Sequence, residues 1–345
     1  MAPYRKDVYC EFEFLKKFRS SNGHISPLDS TDALNVWIGI AKFAQKSHLR
    51  LDVDAQKFQK SIKRGDALFS LWKKATEGSC KISFINEHKK EFFEQQIVDP
   101  DGLNKVYLLS KNNAICRDFA KKYGVVILTP ICWQSNEQAK KVEYLFKDCG
   151  SVVKKNEAFE WNGILRSEYN LSHCNAAVII DNYIHKNIKD NLLKIVDCIL
   201  PESLRNTTFH LTILTEKNEK SEPYEQIYRR LVDNINKTKP QLHCEVELYV
   251  KNGKGGFHDR TILTNNAKID SGAGFSIRTG KGISENATEI HILHPGIQGC
   301  SDACDISYFN ILSEAKKMIQ QIEKGCGHGE QFPKGETCKN RLINP

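Results

Sequence analysis

Gly255-Gly256-Phe257-His258-Asp259-Arg260-Thr261-Ile262-Leu263-Thr264-Asn265, followed after three residues by Ile269-Asp270-Ser271-Gly272-Ala273-Gly274-Phe275, reads as a strand, a short connection and a second strand that ends in a glycine turn. His258 and Arg260 stand two apart, so an extended chain places both on one face. Gly272 and Gly274 let the backbone come close to whatever that pair holds. An imidazole, a guanidinium and the exposed amides of a glycine turn, with Ser271 beside them, are the groups that bind phosphate.

Outward from this stretch the chain alternates strands and helices. On the N-terminal side of the stretch, strands are expected at Ala176–Ile180, Thr208–Thr215 and Cys244–Val250, with helices at Asp190–Leu200 and Pro223–Asn236 between them. Beyond the stretch follow a strand at Thr288–Leu293 and a last helix at Ser307–Glu323. The N-terminal half gives a strand over Asp7–Leu15, a helical block at about 29–76, and strands over Cys80–Ile85, Lys105–Ser110 and Val125–Thr129. Helices are expected at Asn86–Gln96 and Asn113–Tyr123. The fold class is therefore α/β, in two α/β domains. The boundary falls near Cys149–Asn156, where the apolar pattern lapses, giving domains over 1–150 and 151–325 and an irregular tail over 326–345.

Composition narrows the function classes. The chain has 345 residues, 40% of them hydrophobic, with mixed charge, as in folded globular proteins and unlike disordered ones. A net charge of +8 favours an anionic partner, whether nucleic acid, a phosphorylated small molecule or an anionic lipid. No apolar run approaches the roughly 18–20 residues of a membrane span. The first residues carry no apolar signal region, and the cytoplasm is the expected compartment. The 12 cysteines sit singly in apolar patterns, as in Ala114-Ile115-Cys116, and form no disulfide framework. Cys300, Cys304, Cys326, His328 and Cys338 have the residue types of a zinc site, but their spacings match no usual ligand pair. His291 and His294 flank the strand Ile290–Leu293 beside Glu289, either as strand-end histidines or as further polar groups near the phosphate site.

The stretch around His258 resembles the signature of phospholipase D-like proteins, His-x-Lys followed by Asp and then a Gly-Ser-x-Asn turn. The His falls on His258, the Lys position on Arg260, the Asp on Asn265 and the Gly on Gly272, while the Ser and Asn positions hold Ala273 and Phe275. A single-copy branch of that family with His-Asp-Arg in this place binds membrane lipids. The resemblance implies a mixed sheet and a site without a metal. It assigns His258 as nucleophile or acid, Arg260 as phosphate clamp and Asn265 as orienting group, with Ser271, Gly272 and Gly274 contributing to phosphate binding. Two such histidines act across an interface in the family, which implies a homodimer here.

The N-terminal half resembles PIN-like nuclease domains. Val8-Tyr9-Cys10-Glu11-Phe12-Glu13-Phe14-Leu15 offers Glu11 at the first acid of that family, and Ile85-Asn86-Glu87-His88-Lys89-Lys90-Glu91 offers Glu91 at the second. Asn112 or Asn113 stands at the third, ahead of Gly124-Val125-Val126-Ile127-Leu128-Thr129-Pro130. Glu11, Glu91 and Asn112 would hold Mg²⁺ or Mn²⁺, which activates water and neutralises phosphate charge. Together the two resemblances imply a nuclease acting on DNA or RNA, of the kind found in bacterial defence or toxin systems. The alternative is a non-catalytic module that binds nucleic acid, a nucleotide or an anionic lipid.

Overall fold

The computed structural model describes residues 7–16, 48–62, 69, 72–73, 76–77, 81–84, 105–110, 122–128, 149–153, 160–165, 174–253, 260–272, 274–279, 282–283, 288–293, 302–325 and 327–344. It divides into two compact α/β units. One comprises Met1–Ala120, Val125–Lys147 and His294–Asp305; the other comprises Lys121–Gly124, Asp148–Leu293 and Ile306–Pro345. The first is built on a parallel sheet and the second on a mixed one. No described helix is long and apolar enough to cross a membrane.

The parallel sheet runs β3-β2-β1-β4-β5, with β1 Asp7–Cys10, β2 His48–Leu51, β3 Lys81–Phe84, β4 Lys105–Leu108 and β5 Val126–Leu128. Two expectations are corrected here. The strand expected over Asp7–Leu15 ends at Cys10, and Phe12–Lys16 forms helix α1. The cause is a distant group: the Asp52 carboxylate accepts the Phe12 amide at 2.6 Å and so holds an amide of the helix's first turn. Inside the stretch expected to be helical, His48–Leu51 is a strand flanked in parallel by β1 and β3, and only then does α2 begin at Ala55–Ser61. The Asp54 side chain caps α2 by accepting from Lys57 N at 2.7 Å. The helix expected at Asn86–Gln96 lies outside the described residues, and so does the one expected at Asn113–Tyr123 except for Lys122 and Tyr123, which are helical.

The mixed sheet runs β15-β9-β8-β7-β10-β11-β14-β6, with β15 at Gly329–Phe332. Its centre is β7, Ala176–Ile180, five consecutive buried residues as a strand covered on both faces demands. β8 (Phe209–Glu216) and β9 (Cys244–Lys251) lie parallel to it on one side. On the other side β10 (Thr261–Thr264), β11 (Lys268–Ser271), β14 (Thr288–Leu293) and β6 (Cys149–Val153) follow, each antiparallel to its neighbour. Beyond Ser271 and before β14, the two-residue strands β12 (Arg278–Thr279) and β13 (Gly282–Ile283) form a separate ribbon. The apolar lapse at 149–156 thus contains an edge strand, and Val152 is exposed on it.

One face of this sheet, carrying Ile179, Ile213, Leu248, Ile262, Ile269 and Ile290, joins the hydrophobic core with α4 (Leu192–Ile199) and α5 (Tyr224–Thr238). α5 buries Tyr224, Ile227, Leu231 and Ile235, the three-to-four spacing of one helical stripe. A short helix, α3 (Trp161–Leu165), adds the buried Trp161 and Leu165 to the same core. The opposite face is more polar. α6, Asp302–Glu323, lies against it through the Tyr308 hydroxyl, which donates to Thr264 O at 2.7 Å, and buries Tyr308, Leu312, Ala315 and Ile319.

The tail expected to be irregular is instead part of this fold. Gly329–Phe332 is β15, paired antiparallel with β9. Beyond it Cys338, Asn340, Leu342 and Ile343 are buried. The Asn340 amide donates to Ala177 O at 2.9 Å and Thr212 Oγ1 at 3.0 Å, and Glu247 accepts from Thr212, Cys338 and the Lys339 amide. These bonds tie the tail to strands more than 90 residues away in sequence, which local composition cannot foretell.

Candidate functional site

Arg260 and Glu11 each stand where the strand order of their sheet reverses, the position at which α/β sheets open a crevice beyond the carboxyl ends of the strands. In the mixed sheet the reversal lies between β7 and β10. Thr261 pairs with Ile180, so Arg260 stands opposite Asp181 at the carboxyl end of β7.

Arg260 is held from several directions. Its Nη1 donates to Gly272 O at 3.0 Å, and the guanidinium carbon lies 4.9 Å from the centre of the Tyr183 ring. Lys186 Nζ lies 4.2 Å from the same ring centre. Gly274, at φ +88, leaves the space that Arg260 occupies: a Cβ there would come within 2.9 Å of Arg260 Cδ. Arg260 Nε is buried and has no hydrogen-bond partner among the described residues.

Behind the arginine sits Asp181, 1% exposed. Its carboxylate accepts from Tyr183 N and Phe275 N, both at 2.8 Å. Burial pushes its pKa up, against the opposing pull of those amides and of Arg260 and Lys186. Asp181 was not singled out from the sequence. The available signal was its place directly after the apolar strand Ala176–Ile180, where the carboxyl end of a central strand faces the crevice.

A cleft of about 480 Å³ opens beside Arg260 over the polar face of β11 and β14, lined also by Lys268, Asp270, Glu289, His291 and Ser307. Asp270 accepts from Thr261 Oγ1 at 2.8 Å and from Lys268 Nζ at 2.6 Å. His291 pairs in register with Asp270 on one side and Gly150 on the other, and its Nε2 lies 3.2 Å from Glu289 Oε2.

The residues expected at this site divide. Arg260 and Gly272 line the cleft together with Ser271. The Ser271 hydroxyl donates to Gly274 O and so closes the turn rather than facing a ligand. Asn265 lies at the other end of β10, buried. Its Oδ1 accepts the amides of Asn175 and Ala176 at 3.0 Å, and its Nδ2 donates to Asn175 Oδ1. It locks the start of β7 and does not orient Arg260. His258 lies outside the described residues.

In the parallel sheet the order reverses between β1 and β4, and Glu11 follows β1 at that point. Its amide donates to Leu108 O at 2.9 Å, and its Oε2 accepts from Ser110 N at 2.6 Å. Asp52, just past β2, is the neighbouring carboxylate. The buried Cys10 thiol is pushed well up, first by burial and then by the charges of Asp52 and Glu11. Glu91 and Asn112 lie outside the described residues. Among the described residues no group of three or more His, Cys, Asp or Glu side chains is arranged to hold a metal ion. Cys338, one of the zinc candidates, donates to Glu247, and its pKa is pushed up to about 12 by burial and by Glu247.

No family model matches the chain. No curated protein matches it either. Among solved structures it is similar to Kluyveromyces polysporus Argonaute with a guide RNA, at 10% identity and a TM-score of 0.18, over 89% of this chain and 43% of that one. The chain thus spans less than half the length of that protein, and the likeness is too slight to bear on fold or function.

Proposed function

We propose that the mixed-sheet unit is a phosphodiesterase acting on nucleic acid, of phospholipase D-like type, with its phosphate seat at Arg260. The observation that carries this reading is the immobilised guanidinium: bonded to Gly272 O, stacked on Tyr183, backed by buried Asp181 and opening on a cleft with Lys268 and His291. A fixed planar fork of donors stabilises the charge that grows on phosphate oxygens during displacement and needs no reorganisation to do so. His258, two residues before Arg260, is the nucleophile of this reading, and needs no metal.

The parallel-sheet unit is read as PIN-like, with a divalent cation at Glu11, Glu91 and Asn112. Two carboxylates suit Mg²⁺ or Mn²⁺, which take one or two of them and complete their shell with water and phosphate oxygens. The cation would activate water there. The defence or toxin setting and the homodimer belong to the same reading and rest on the family resemblances.

A second reading, a phosphate-binding module without turnover, is favoured by one observation. Asn265, at the position of the family's orienting acid, is committed to Asn175 and Ala176. A nuclease assay on labelled single-stranded DNA and RNA, with Mg²⁺, Mn²⁺ or chelator, separates the two. Cleavage that persists in chelator, vanishes in His258→Ala and falls about 10²–10³-fold in Arg260→Ala supports the first. Salt-sensitive binding lost in Arg260→Ala and kept in His258→Ala, with no cleavage, supports the second. Neither binding nor cleavage under any condition defeats both.

A further inference from the structure

Directly after β7 the chain turns through residues 181–191, and this loop is tied down rather than left to solvent. Tyr183 N donates to Asp181 at 2.8 Å, while Tyr183 O accepts from the Ser276 hydroxyl at 2.6 Å and from Lys186 N at 2.9 Å. The buried Asn191 amide donates to Lys186 O at 3.3 Å and to Asn187 O at 3.4 Å. Arg260 and Lys186 share the Tyr183 ring. The guanidinium carbon lies 4.9 Å and Lys186 Nζ 4.2 Å from its centre, so the two cations stand no more than about 9 Å apart, the two distances laid end to end. Asp181 feels both charges, but each of its oxygens already holds a backbone amide. Among the described residues no carboxylate forms an ion pair with Lys186 or Arg260. An exposed lysine is ordinarily a solvated charge. Here its backbone is bonded at both N and O, and its ammonium lies over the ring that also packs Arg260.

We propose that Lys186 extends the Arg260 seat to a second phosphate, so that the ligand is a nucleic-acid strand presenting adjoining phosphates, one to the guanidinium and the next to the ammonium across Tyr183. The inference rests on the phosphate seat at Arg260 in the reading above and does not require turnover. Phosphates recur every ~3.4 Å of axis along one strand, so neighbouring groups fall within the span of the two cations. Arg260 belongs both to the cleft it shares with Lys268 and to the ring it shares with Lys186, so a strand passing the arginine offers a phosphate to each. The two side chains suit these parts. The planar fork of Arg260, tied to Gly272 O, grips one group in fixed geometry, whereas an ammonium is a compact point charge that takes a phosphate from many directions. Tyr183 holds both cations without competing for the anion, because the face of its ring attracts positive charge only. A ligand with a single phosphate would leave one of the two cations unanswered. The seat therefore favours a strand over inorganic phosphate or a mononucleotide.

The test measures binding of a labelled single-stranded oligonucleotide to the full chain over a series of salt concentrations. A lysine that neutralises one phosphate of a single strand adds about 0.7 to the steepness of log affinity against log salt. Lys186→Ala should lower the steepness by that amount, so that a tenfold rise in salt costs the variant about fivefold less affinity than it costs wild type. Lys186→Arg should restore it. Tyr183→Phe, which keeps the ring, should bind like wild type, and Tyr183→Leu should lose at least as much as Lys186→Ala. Lys189→Ala is the control: Lys189 is exposed on the same loop, carries the same charge and, among the described residues, lies over no aromatic ring. Equal falls in Lys186→Ala and Lys189→Ala, no fall in Lys186→Ala, or a wild-type slope in Tyr183→Leu overturn the inference; the phosphate seat stands if Arg260→Ala still weakens binding. Undiminished binding in Arg260→Ala, or no binding by the wild-type chain, overturns the seat and the inference together.

Discussion

Replacing Gly274 by alanine separates the packing of the Arg260 seat from its chemistry. At φ +88 an L side chain is strained, which costs about 1–3 kcal/mol. The added Cβ would also lie 2.9 Å from Arg260 Cδ and 3.5 Å from Asp181 Oδ1. Carbon atoms rest about 3.5–4.0 Å apart, so the arginine stem must retreat by roughly 0.6–1.1 Å. Neither neighbour gives way easily, since Asp181 is fixed by two amides and Arg260 by Gly272 O and Tyr183. A unit of this size melts about 2–4 °C lower for each kcal/mol lost. If Arg260 clamps phosphate as proposed, a displacement of about 1 Å there lowers turnover by up to about 100-fold. Calorimetry reads the first effect and the cleavage assay the second. Gly272→Ala is the control, because an added Cβ there meets nothing within 4 Å, and its stability should stay within about 0.5 kcal/mol of wild type. A Gly274→Ala chain that melts like wild type, or a Gly272→Ala chain that falls as far, would refute the account of how the arginine is held.

Two further outcomes concern the tail. Asn340→Ala leaves Ala177 O and Thr212 Oγ1 without the buried donor they share and should cost about 1–3 kcal/mol in urea denaturation, with faster proteolysis beyond Phe332; a loss below about 0.5 kcal/mol would show that the tail docks without it. The His210 pKa is lowered from 6.5 to about 4 by burial first and then by Arg341, Lys339 and His243. The unfolded chain therefore binds a proton below pH 6.5 that the folded chain takes only near 4, so this contribution to stability is present above pH 6.5 and is lost as pH falls towards 4. The Arg341 amide donates to His210 Nδ1, so its hydrogen exchange, corrected for the intrinsic rate, should rise across that window, and a flat profile would remove His210 from tail docking.

The α/β class was legible because it rests on local pattern: Ala176–Ile180 is an unbroken apolar run, and α5 repeats its apolar residues every three or four positions. What the pattern could not reveal depends on partners distant in the chain. Phe12, Phe14 and Leu15 suit a strand or a short helix equally, and Asp52, 40 residues from Phe12, decides for the helix. His48–Leu51 becomes a strand because β1 and β3 flank it. At the candidate site Arg260 and the glycine turn were legible from their spacing. Lys268 and Asp270 were not, because their meaning comes from the register that sets Asp270 between Thr261 and His291.

The polar face of the mixed sheet explains why the cleft lies where it does. Over β8 and β9 this face carries Thr212, Glu247 and Tyr249, and the tail and the end of α6 answer each of them: Glu247 takes three donors, and Tyr249 donates to Glu323. A buried polar group without such partners costs roughly 1–3 kcal/mol, so Thr212, Glu247 and Tyr249 are closed over because they are satisfied from within. Over β10, β11 and β14 the cover is thinner. Thr261, Asp270 and Lys268 satisfy one another in part, while Glu289 and His291 stay more than half exposed and Arg260 Nε has no described partner. The face is thus covered by the tail over β8 and β9 and open over β10, β11 and β14. Two fixed cations and a pair-bonded imidazole at that opening favour an anionic ligand with several acceptor oxygens, and a phosphodiester has them.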